Sequence, residues 1–301
     1  MAVATALLLA ALAAAGCSFG PGADVGAVKL TVTRDFGSAP MVESDVGEVK
    51  ESATVMRVLE GEAKITTRYG GGFVQSIDGF EADRRDGRSY DWFFYVNGVE
   101  SPIGAADFSL HGGERIWWDY HDWTAVARVP AVVGSWPAPL RGGYEGRAHS
   151  VTLDCEGGGE ACALTREALE AVDVPISGGS PQGAIRVLVG PWARLRTDPV
   201  AALLEDGPAE SGVFAEFVAA PGGYRLRGLD PAAEPVREFG PDAGLVAATR
   251  RYEAAPVWIV TGATNAAVRA AAGLLDAGKL RDHYALATEA GVETPLPVQT
   301  R

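Results

Sequence analysis

Basic side chains are in short supply: 26 Lys and Arg face 39 Asp and Glu, a formal net charge of −13. Such a field repels polyanions, and no basic run offsets it locally, so nucleic acid is excluded as a partner. Long apolar runs are absent beyond the N-terminus, which excludes a multi-span membrane protein. The nucleotide loops GxGxxG and GxxxxGKS/T are missing, as are the GxSxG elbow, CxxC pairs, the DxDxDG calcium loop and the DxHxxG cobalt-ligand motif. The four histidines, His111, His121, His149 and His283, stand apart along the chain. No catalytic residue or metal ligand set is assigned on this basis, no cofactor is required, and the expectation is a protein that is not an enzyme.

Cysteine is also scarce, with three in the chain. The uncharged, Ala- and Leu-rich stretch Met1 to Gly16 ends in Ala14-Ala15-Gly16-Cys17, and a polar, Gly- and Pro-containing segment follows. The pattern resembles a bacterial lipobox. It implies a lipoprotein signal peptide over residues 1–16, lipidation of Cys17, a tether over 17–27 and an extracytoplasmic protein anchored to the cell membrane. The plainer alternative is a core helix with a buried cysteine. Cys155 and Cys162, in DCEGGGEAC, then read as a short disulfide loop.

Tryptophan is unevenly spread. Trp92, Trp117, Trp118, Trp123 and Trp136 fall in the first half, the last of them within the Pro- and Gly-rich segment Val129–Gly146, and only Trp192 and Trp258 lie beyond it. That segment reads as a linker or a closing strand, which divides the chain into units at 28–145 and 146–301. In the first unit Val28–Arg34 alternates as a strand, Thr54–Leu59 has the spacing of a short helix, and Lys64–Tyr69 and Phe73–Ile77 are strands broken by Gly70-Gly71-Gly72. Trp92–Val96 is a strand ended by an Asn97-Gly98 turn, and Glu114–Tyr120 is the last strand. In the second unit Ala184–Val189 is a buried strand, with a helix over Ala193–Leu204. Gly212–Val218 and Tyr224–Leu229 form a pair, Pro241–Tyr252 is helical by period, and Pro256–Val260 is a strand leading into a helix at Ala266–Leu275. The class expected is α+β, with an α/β second domain built on a mixed sheet.

Three stretches carry a family likeness: Tyr69–Gly79 (YGGGFVQSIDG), Tyr90–Gly104 (YDWFFYVNGVESPIG) and Ile116–Trp123 (IWWDYHDW). Together they resemble the DUF4430 family, related to the C-terminal domain of transcobalamin and intrinsic factor. The resemblance covers roughly Val28 to Leu140. It implies a β-grasp domain and, by analogy with a domain that covers one face of a corrinoid, cobalamin or another small ligand as the bound partner.

Neighbours on a strand face opposite ways, so one side of Trp92–Tyr95 and of Trp117-Trp118 offers a flat aromatic platform. The alternative is that the second unit covers that face. Three glycines beside it permit left-handed backbone or close approach of a ligand, or equally a β-bulge. The candidate ligand-binding set is Tyr69, Gly70, Gly71, Gly72, Phe73, Trp92, Phe94, Asn97, Trp117 and Trp118. Asp119, His121 and Asp122 form a polar corner rather than a metal site, because alternation splits them between faces. The acidic set Asp78, Glu81, Asp83, Asp86 and Asp91 reads as a solvated loop, and Thr264 as a helix N-cap. The function expected is an extracytoplasmic, lipid-anchored, non-catalytic binding protein. The alternative is an envelope module that docks another protein.

Overall fold

A computed structural model describes residues 23–157, 159–179 and 181–299. Cys17, the expected signal peptide and most of the expected tether lie outside them. The protein is of mixed α and β structure, with more strand than helix.

The chain opens with β1 (Asp24–Arg34), β2 (Ala39–Lys50) and α1 (Val55–Glu62). A small sheet follows, β3 (Ile65–Arg68), β4 (Phe73–Ile77) and β5 (Phe80–Glu81). Then come β6 (Asp83–Arg85), β7 (Arg88–Val96), β8 (Val99–Glu100) and β9 (Arg115–Asp122). The main sheet of this half runs β2-β1-β9-β7-β6, with β8 paired to β7. β1 and β9 are parallel at its centre; the β1–β2 and β7–β9 pairs are antiparallel.

Alternation decides what each face meets. Val28, Leu30, Val32, Trp92, Val96, Ile116, Trp118 and Tyr120 pack with Val55, Val58 and Leu59 of α1 and with Val74 and Ile77 of β4. The helix forms where Thr54 caps it, accepting the Arg57 N–H at 3.3 Å. The opposite face carries Tyr95 and Trp117 into a different cluster, shared with residues up to Leu296. Every β9 residue after Arg115 is buried, because both faces of the sheet are covered.

The second half holds β10 (Val151–Cys155), α2 (Gly159–Glu170), β11 (Ile185–Pro191), α3 (Trp192–Leu195) and α4 (Pro208–Ser211). A three-stranded sheet follows, β12 (Ala215–Ala220), β13 (Gly223–Leu229) and β14 (Pro235–Glu238). Last come β15 (Gly244–Thr249), β16 (Val257–Gly262), α5 (Asn265–Ala272), α6 (Ala277–Leu280), β17 (Ala285–Glu289) and β18 (Val292–Leu296). The large sheet is mixed, in the order β10-β11-β16-β15-β17-β18, with β10, β11 and β16 mutually parallel. Thr264 caps α5 as its sequence position suggested, accepting the Ala267 N–H at 3.1 Å. Cys155 and Cys162 are joined, tying the end of β10 to α2.

Two helix expectations are corrected. The segment 241–252 contains the fully buried strand β15, not a helix. An apolar run covered on both faces carries no alternation, so its Ala and Leu content imitates a helical period. The expected helix over 193–204 is only the short α3 and a 3₁₀ turn at Ala201–Leu204, broken by Asp198-Pro199. The Asp198 carboxylate accepts the N–H groups of Val200 and Ala201, which starts the new turn.

The Val129–Gly146 segment is neither a solvated linker nor a strand. Val132, Val133, Trp136, Leu140 and Tyr144 are buried along it. It straps the two halves together: the Val132 N–H donates to the Gly98 carbonyl at 2.9 Å and the Val133 N–H to the Tyr284 carbonyl at 3.2 Å.

Candidate functional site

The residues proposed as one platform separate into an interior set and a surface set. Trp92 is buried, its indole N–H donating to the Phe80 carbonyl at 2.8 Å. Trp118 is buried on the same face, and half-buried Phe94 stacks on it with 4.9 Å between ring centroids. Trp117 points the other way and is buried against Tyr284, 5.3 Å between centroids, with its N–H donated to Thr33 Oγ1 at 2.8 Å. The two faces of the sheet therefore leave no open indole surface among these three. Sequence alternation separated Trp117 from Trp118; it carried no information on the covers, which include α1 and β4 on one face and Phe36, Val132 and the distant Tyr284 on the other.

Asn97 is also interior. It holds the left-handed turn position between β7 and β8, with φ 53°. Its side-chain amide donates to the Gly143 carbonyl at 2.9 Å and accepts the Arg115 N–H at 2.9 Å. It therefore joins the strap to the start of β9.

The surface set is the turn between β3 and β4. Tyr69 is 85% exposed and Phe73 38% exposed, their rings edge to face at 6.2 Å. Tyr69, Gly70 and Gly71 all have positive φ, and the space beside both glycines is empty to 4 Å. The turn is a 3₁₀ hairpin connection, so the glycines serve a tight reversal that presents Tyr69 outward. The loop after β8 comes alongside: the Gly104 Cα side lies against the Gly72 carbonyl, and neighbouring Ile103 is 49% exposed. Tyr69, Phe73 and Ile103 thus form an apolar tip with bare peptide backbone between them.

A second constellation was read only as a polar corner. Asp119 and His121 lie on the Trp117 side of β9, both buried, with His121 Nδ1 2.8 Å from Asp119 Oδ2. A carboxylate only accepts, so Nδ1 carries the shared proton. Asp119 also accepts from Thr33 Oγ1 at 2.5 Å, the Phe36 N–H at 3.0 Å, the Gly37 N–H at 2.9 Å and the Tyr284 hydroxyl at 3.3 Å. The His121 ring is stacked between Phe36 at 4.4 Å and Phe93 at 4.5 Å. Tyr95 donates to the Tyr284 oxygen at 3.3 Å. Burial pushes both phenols well above their ordinary pKa, so they remain donors. Asp122 faces elsewhere and accepts from Thr124. Among the described residues no group of three or more His, Cys, Asp or Glu is placed to hold a metal ion. The corner is sealed from solvent and joins the first sheet to β17. Tyr284 was not singled out by sequence, because a lone Tyr before a strand carries no local signal.

Residues 52–122 match the family described as "Domain of unknown function (DUF4430)". The match contains α1, β3 to β9, the exposed turn, and Asp119 and His121 of the buried corner, whose other members Thr33, Phe36, Gly37 and Tyr284 lie outside it. No curated protein sequence matches the chain. Among the described residues no helix is long and apolar enough to cross a membrane.

Proposed function

We propose that this is an extracytoplasmic, lipid-anchored, non-catalytic binding protein whose first unit is a β-grasp domain of the transcobalamin C-terminal type. The ligand is a corrinoid or another ring-shaped small molecule, held at the Tyr69–Phe73 turn. The observation that carries this reading is the outward presentation of Tyr69 on three glycines, with Phe73 and Ile103 beside it. Aromatic faces on a bare backbone let a broad ring system lie close. The hairpin β1–β2, the helix α1 crossing the sheet and the central parallel pair β1/β9 support the β-grasp assignment. The Cys155–Cys162 bond supports an oxidising compartment, and Cys17 is the proposed anchor.

The burial of Trp92, Trp117 and Trp118 favours the second reading, an envelope module whose apolar tip docks a protein. Isothermal titration of the protein in detergent with cobalamin and cobinamide separates the two. The corrinoid reading expects micromolar binding that is lost in a folded Tyr69→Ala/Phe73→Ala variant. No heat and no tryptophan quenching at high ligand concentration would remove corrinoids and leave the protein-docking reading.

A further inference from the structure

A cleft of about 550 Å³ opens between the start of β1, the turn entering β9 and the strap near residues 137–146. That volume suits a small organic ligand. Its wall carries three cations, Lys29, Arg115 and Arg141. Lys29 is engaged by Asp45 at 2.9 Å. Arg115 is half-buried, and among the described residues its guanidinium has no hydrogen bond or ion pair. Burial holds its pKa below the ordinary arginine value, and Asp282, the strongest opposing charge, stays beyond bonding distance. Arg141, exposed on the strap side, likewise has no ion pair among the described residues.

The acids in the wall are already committed. Asp45 holds Lys29, and buried Glu114 accepts the His111 N–H at 2.8 Å while its other oxygen faces the His111 ring. The open valence of the cleft is therefore cationic. A half-buried guanidinium with a free fork of donors matches an oxyanion. Gly142 lines the same space with no atom near its missing side chain, so its backbone is approachable, whereas the Gly113 N–H is already taken by the Ala27 carbonyl at 2.7 Å. Asn97 fixes the two walls relative to each other through Gly143 and Arg115. The site is preorganised rather than assembled on binding.

We propose that this cleft binds a small oxyanion-bearing molecule, a carboxylate or phosphate gripped by the Arg115 fork and closed over by Arg141. It shares no residue with the Tyr69–Phe73 turn, so it stands or falls independently of the corrinoid reading.

Calorimetric titration of the protein in detergent with inorganic phosphate, and separately with citrate, tests it at low ionic strength. At least one probe should bind saturably with a dissociation constant of about 1 mM or tighter. Arg115→Gln and Arg141→Gln should each weaken that binding by about tenfold. Arg166→Gln, on the exposed side of α2, should not change it. Arg141 is exposed, so its variant keeps the test valid if Arg115→Gln misfolds by circular dichroism. Binding of phosphate alone or citrate alone assigns the oxyanion class. Absence of heat with both probes, or equal affinity in wild type, the folded Arg variants and Arg166→Gln, overturns the proposal.

Discussion

Asp119 concentrates more structural commitment than any other carboxylate described above. Its two oxygens receive Thr33, the Phe36 and Gly37 backbone, His121 and Tyr284. Asp119→Ala strands these donors in a dry interior, and a loss of about 3–5 kcal/mol is expected from urea unfolding. Asp119→Asn keeps the shape but turns one acceptor into a donor that faces other donors, so its loss should be smaller but clear. Gly37 sits at the same corner. A Cβ there would overlap the Asp282 carbonyl oxygen, and the backbone is left-handed with φ 84°. Gly37→Ala should lower the thermal midpoint by several degrees, because backbone rather than a flexible side chain must move. His283 gives a pH signature. Burial, the dominant cause, holds its pKa below the ordinary histidine value, so the unfolded chain binds the proton more readily. Its contribution to stability is present above about pH 6.5 and is lost as pH falls toward the lower folded value. His283→Gln should flatten the urea midpoint against pH across that window.

At the scale of elements, the disulfide between Cys155 and Cys162 closes a short loop at the head of α2. Replacing both cysteines with serine should cost about 2–3 kcal/mol from loop entropy alone, read as a lower urea midpoint matched by the wild type in reductant. This pairing was legible in the sequence, because small residues between two cysteines allow a tight loop. The strand Val28–Arg34, the short helix beginning near Thr54, the Asn97-Gly98 turn and the β16–α5 junction with its Thr264 cap were legible for similar local reasons. β15 was not, since a strand buried on both faces has no period of two to detect. β2 was not singled out either: Pro40, Gly47 and the acids Glu43, Asp45 and Glu48 hide an edge strand whose pairing comes from β1. For the candidate site, sequence marked the Tyr69–Phe73 turn and grouped the tryptophans with it as a platform, with cover of that face by the second unit as the alternative. Their burial depends on partners such as Tyr284, which no spacing rule connects to them.

Over the whole molecule, the largest apolar cluster is held in common by the two halves. Phe36, Tyr95 and Trp117 meet Phe214, Ile259 and Tyr284 within it, with Val132 of the strap between. The expected boundary near residue 145 lies just past the buried Gly143 and Tyr144, where residues 146–148 are exposed. Unfolding is expected to be a single transition, with tryptophan emission and far-UV circular dichroism tracing the same urea curve. A fragment ending near residue 145 would leave Tyr95 and Trp117 uncovered. It should bind a hydrophobic dye or self-associate on size-exclusion chromatography, and a well-behaved monomer would show that the shared cluster is dispensable.

The Tyr284 hydroxyl meets a carboxylate made 165 residues before it. At about 5–20 residues per second, the ribosome needs roughly 8–30 s to supply it. Through that interval the first sheet exists with one aromatic face unclaimed. The chain's most vulnerable moment is set by the order of synthesis: its early half waits, sticky and incomplete, for its last strands.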